Sequence, residues 1–150
     1  MKHFLALALS FALSSPALAG AWGTGSFEND DALDWAAQCT QSSGPPAVAA
    51  ALKAALSADF IEAPDGAMAI AAAEVVAAAR GKPGAKLPDT LRAWLQRQPQ
   101  SQIARLAPLA QQALARVNGS ADQSELKQLW SGKDAQTWNK LMANLAARLR

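Results

Sequence analysis

"AMAIAAAEVVAAAR", residues 67–80, decides the fold. Eight of its fourteen residues are alanine, the residue that loses least on entering a helix. Side chains this small let neighbouring helices approach closely, so the stretch predicts a helix against which others can pack. Gly81, with Pro83 just beyond, supplies the expected C-terminal stop. Glu74 is the one interruption. On a helical wheel it sits with Ile70, away from Met68, Val75 and Val76. It is expected either to face solvent or to enter a partly buried ion pair with an arginine such as Arg80 or Arg105.

Working outward, helical spacing recurs and strand alternation does not. From Asn29 as N-cap, Ala32, Leu33, Ala36 and Cys39 fall on one side of a short helix, with Asp30, Asp34 and Gln38 on the other. Gly44-Pro45-Pro46 ends that element and pre-sets the next, whose stripe is Val48, Leu52, Ala55 and Leu56. Pro88 opens a helix carrying Leu91, Trp94 and Leu95. A longer one follows with Ile103, Leu106, Ala110, Leu114 and Val117, which Pro108 kinks or splits. Asp122 with Glu125 three residues later reads as a capping box for Leu126, Leu129 and Trp130. The last helix shows Trp138, Leu141, Met142, Leu145 and Leu149 on one face, with Asn139, Lys140, Asn144 and Arg148 outside it. The expectation is a single all-α domain over residues 20–150, a bundle of six or seven helices with a Gly/Trp-rich N-terminal segment packed on it.

Residues 1–19 read as a signal peptide. Lys2 is the basic start, Phe4 to Leu13 the apolar run and Ala17-Leu18-Ala19 the small-residue site, with cleavage expected before Gly20. The apolar run is about half of the roughly 20 residues a membrane-spanning helix needs, so no stable membrane anchor is expected. The implied compartment is periplasmic or secreted.

Charge is divided along the chain. Residues 20–74 hold eight acids and one base, residues 75–150 four acids and twelve bases. The near balance argues against nucleic acid as a partner. The acidic front and basic rear suit attraction within the fold or between two copies in a homo-oligomer, the alternative being simply solvated surface. The only histidine, His3, lies in the leader, and tyrosine is absent. Histidine triads and the HExxH zinc motif are therefore excluded. Cys39 is the only cysteine, so no internal disulfide forms; on the apolar side of its helix it reads as a buried small hydrophobe.

"AWGTGSFENDDALDW" (21–35), "EAPDGAMAIAAAEVVAAARGKP" (62–83), "LPDTLRAWL" (87–95), "ALARV" and "SELKQLW" (124–130) together resemble the small bacterial proteins grouped as domain of unknown function 4259. The resemblance runs over the whole chain after the leader. It implies a single helical domain and supplies no catalytic residue.

Glu28, Asp30, Asp31 and Asp34 lie within seven residues and form the obvious candidate site. Like charges at Asp30 and Asp34, one turn apart, repel by roughly a few tenths of a kcal/mol. The free N–H groups of the helix start favour Asp30 and Asp31 by about 0.3–1 kcal/mol each. Capping and a solvated face thus account for most of the cluster. The alternative is a Ca²⁺ or Mg²⁺ site drawing on Glu28, Asp31 and Asp34, completed by Glu62, Asp65 or Glu74 from the alanine helix. Gly23 and Gly25 are open to two readings. They form an N–H-lined concavity for an anion, or, as favoured here, they give the backbone freedom that turns Trp22 and Phe27 back onto the helices. Trp35, Trp94, Trp130 and Trp138 are expected as further core anchors.

No cofactor loop and no nucleophile arrangement is present. The sequence therefore points to a non-catalytic binding or protein-interaction module, with a carboxylate-based or metal-dependent hydrolase as the alternative. Three or more of the acids converging in a cleft would favour the enzyme.

Overall fold

In a computed structural model, which describes residues 20–150, the alanine-rich stretch is the axis of the molecule. It forms α3 (Ala63–Ala79), buried on every side from Gly66 to Ala78 except at the partly covered Met68. A helix apolar all round has no solvent face to offer. Accordingly all seven other helices touch it: α1 (Asp30–Thr40), α2 (Pro45–Ser57), α4 (Asp89–Leu95), α5 (Gln100–Ala104), α6 (Ala107–Val117), α7 (Glu125–Leu129) and α8 (Ala135–Arg148). α2, α3 and α6 pack mutually, while α1 lies across α3 and α4. Leu52, Ile61, Leu91, Ile103, Leu145 and Leu149 are among the fully buried side chains, each contributing roughly 1.5–3 kcal/mol.

The stop after α3 is a Schellman turn. Gly81, at φ +80°, donates to Ala78 O at 2.9 Å, and Lys82 donates to Ala77 O at 3.0 Å; the positive φ is what requires glycine. Pro108 falls in the first turn of α6, where its missing N–H is harmless, and the segment expected as one helix is accordingly two, α5 and α6. This division brings the count to eight helices among the described residues. The described residues contain no strand, only two isolated bridges, Ala21 with Asn29 and Ile61 with Ser124. No described helix is long and apolar enough to cross a membrane. The expected signal peptide lies outside the described residues.

Two local expectations need correction. Ser124, not Asp122, caps α7: its hydroxyl accepts from Lys127 N–H. The bridge to Ile61 fixes the chain there, with Ile61 N–H donating to Gln123 O at 2.8 Å and Glu125 N–H to Ile61 O at 3.0 Å. Trp22, expected in the core, is 59% exposed. Trp35, Trp94 and Trp138 are buried, and Trp130 is partly buried with its ring stacked on that of Trp138 at 6.4 Å.

Candidate binding cleft

Why Trp22 points outward follows from how residues 20–29 are tied. Asp30 N–H donates to Gly20 O at 2.7 Å, and the N–H groups of Trp22 and Gly23 both donate to Glu28 O. Ala21 bridges Asn29 and faces inward to a cleft; its neighbour Trp22 takes the opposite side, as alternation along extended chain requires. Phe27 enters the core, and the Asn29 side chain caps α1 by accepting from Ala32 N–H at 2.7 Å.

Gly23 and Gly25 act through space rather than through φ. Neither has a positive φ. Instead the Glu28 side chain folds back over them: Gly25 N–H donates to Glu28 Oε2 at 2.8 Å, and a Cβ at either Gly23 or Gly25 would come within 2.8 Å of the Glu28 Cδ. The concavity weighed for an external anion is thus filled by the protein's own carboxylate. Conformational freedom, the favoured explanation, is not what these positions use.

Beneath the loop lies a buried polar knot. Ser26 Oγ donates to Glu74 Oε1 at 2.8 Å, and Arg148 grips the same carboxylate at 2.7 and 2.9 Å. Arg148 also donates to Asn144 Oδ1, one turn earlier on α8. The partner of Glu74 is therefore Arg148 and not Arg80 or Arg105, both of which are exposed. Arg80 ends α3 and Arg105 ends α5, whereas α8 brings its last turn across the middle of α3. Gly84 leaves room for the pair, since a Cβ there would stand 2.7 Å from Glu74 Oε2.

Between this loop, the start of α1, the start of α3, α7 and the start of α8 opens a cleft of about 600 Å³. Ala67, Ile70, Leu126, Leu129 and Trp130 give it an apolar floor, and Thr24, Ser26, Asp31 and Glu125 stand at its polar edge. Of the acidic candidates, Asp31 alone lines it. Glu28 is turned onto its own loop, Glu74 is held by Arg148, and Asp34 and Glu62 are exposed elsewhere. Among the described residues no three acidic, cysteine or histidine side chains are grouped to hold a metal ion. Cys39 is buried on the core side of α1, and burial pushes its thiol up to about 11, against a smaller lowering by Ser42. It is protonated at neutral pH and is no nucleophile.

Sequence reasoning missed Glu125, Trp130 and Ser26 as neighbours. Glu125, read as half of a local capping box, caps a different helix: its Oε2 accepts from Ala63 N–H, the first residue of α3, at 2.6 Å. The signal available was α3's lack of a side-chain cap of its own, Glu62 being a poor capping residue.

Fold and cleft define a small all-helical protein whose N-terminal loop forms one wall of a ligand-sized cavity. The family model for Domain of unknown function (DUF4259) matches residues 20–140, and the chain belongs to that family. No curated protein and no solved structure matches it.

Proposed function

We propose that this protein is a non-catalytic binding module, exported after cleavage before Gly20, and that it binds its ligand in the cleft beside the Gly20–Asn29 loop. One observation carries the reading. The cleft, about 600 Å³, falls in the range of roughly 300–1,000 Å³ typical of ligand sites, yet the acids that would make it a hydrolase are dispersed. Only Asp31 lines the cleft, while Glu28 is a loop clamp, Glu74 is in a buried ion pair, and Asp34 and Glu62 lie on open surface.

Amide-resolved NMR of the purified protein against a fragment library tests this. Saturable shifts should cluster on Gly25, Ser26, Leu129 and the Trp130 indole. Hits confined to other surfaces would refute the site, and turnover of any fragment that requires Asp31 would refute the non-catalytic assignment. Export has its own check: intact-mass measurement of the product in its native host should give a chain starting at Gly20, and retention of Met1 would overturn it.

A further inference from the structure

We propose that the cleft is selective for an organic cation with an apolar body, an ammonium or guanidinium group carried on an alkyl or aromatic frame. This rests on the cleft being the binding site, as argued above.

Charge supplies the first argument. Among the described residues, the only charged side chains lining the cleft are Asp31 and Glu125, both acidic, with no lysine or arginine in the lining. Four helices begin at its edge, α1, α3, α7 and α8, and a helix start carries roughly half a positive charge. Carboxylates outnumber these: Asp30 and Asp31 in the first turn of α1, Glu62 and Asp65 at the start of α3, Glu125 at that of α7. The local field is negative.

Hydrogen bonding points the same way. Four backbone donors in and around the cleft are already used inside the protein. Ala32 N–H is taken by Asn29, Ala63 N–H by Glu125, Lys127 N–H by Ser124 and Gly25 N–H by Glu28. The Ser26 hydroxyl hydrogen is committed to Glu74, so towards the cleft this residue offers only lone pairs. The Asp31 carboxylate and the Ser26 lone pairs on the lining are acceptors, which suit the N–H groups of a cation.

The floor completes the description. Trp130 lines the cleft while stacked on Trp138 at 6.4 Å with 24° between the rings. A ring held in this way presents a fixed π surface to a cation at the acidic edge. Ala67, Ile70 and Leu129 beside it receive the apolar frame.

The test compares three probes of one shape, phenethylammonium, 2-phenylethanol and phenylacetate, followed by NMR and tryptophan fluorescence on the purified protein. Phenethylammonium should bind about tenfold more tightly than the alcohol, with phenylacetate weakest, and added salt should weaken only the ammonium. Asp31→Asn should remove most of that preference and leave the alcohol's affinity unchanged. Should Asp31→Asn fail to fold, Glu125→Gln, whose amide oxygen still accepts from Ala63 N–H, serves the same purpose. Equal affinity for ammonium and alcohol, or tighter binding of phenylacetate, would overturn the cation selectivity and leave the cleft standing. Failure of all three probes to shift the cleft resonances would overturn both.

Discussion

Removing Arg148 should expose how much the fold depends on the pair beneath the loop. The Glu74 side chain is 8% exposed and that of Arg148 18%, with the carboxylate bound at 2.7 and 2.9 Å by the guanidinium and at 2.8 Å by Ser26. Arg148→Met keeps the length of the stem and leaves the Glu74 carboxylate covered and held by Ser26 alone. Breaking a buried pair from one side costs about 3–5 kcal/mol, a large share of a domain stability of roughly 5–15 kcal/mol. Glu74→Gln should cost less, about 1–2 kcal/mol, because the more exposed Arg148 has water within reach and the amide still accepts from Ser26. Combining the two removes both charges, so the double variant should be more stable than Arg148→Met alone, with a coupling of at least about 1 kcal/mol. Urea unfolding followed by circular dichroism measures all three. An Arg148→Met penalty within about 0.5 kcal/mol of zero, the size of an ordinary surface substitution, or strictly additive effects, would refute the reasoning.

Two further tests address the other positions that the structure redefines. Trp22→Ala removes a side chain already 59% in solvent and should lower stability by about 1–2 kcal/mol, whereas Trp94→Ala, 1% exposed with its indole donating to Ser42 O at 3.0 Å, should cost about 3–5 kcal/mol; thermal melts that rank them the other way would return Trp22 to the core. The Cys39 thiol, pushed up to about 11 by burial against roughly 8.5 in an unfolded chain, favours the folded state while protonated. Its contribution is fully present below the unfolded value and is lost as pH rises through the folded one. Melting temperature should therefore fall between about pH 9 and 11, more in the wild type than in Cys39→Ala, and iodoacetamide should leave the thiol unmodified near neutral pH; rapid alkylation of the folded protein would contradict the burial.

The elements that were legible in the sequence are those whose causes are local. Alanine content and the Gly81 stop made α3 visible, Asn29 marked the start of α1, and Pro45, Pro88 and Pro108 stood at or next to the starts of α2, α4 and α6. In each case the deciding interaction lies within a turn or two of chain, where spacing rules apply. The Asp122 cap failed because a competing local candidate, Ser124, is held in extended conformation by a bridge to Ile61, more than sixty positions away.

The candidate site was far less legible, for the same reason in reverse. Ser26 meets Glu74 across 48 positions, Glu125 caps Ala63 across 62, and Arg148 reaches Glu74 across 74. No periodicity records such pairings, and an acid-rich loop reads identically whether its carboxylates converge or not. Glu28 makes the point within a span short enough to have been read. Its carboxylate lies against Gly23 and Gly25, so glycine there makes room for a neighbouring side chain rather than supplying backbone freedom. That neighbour's folding back is also what ties the loop while Trp22 faces outward. The feature that suggested an aromatic packed on the core is therefore the one that supports its exposure: a loop clamped by its own carboxylate does not need its tryptophan for anchorage.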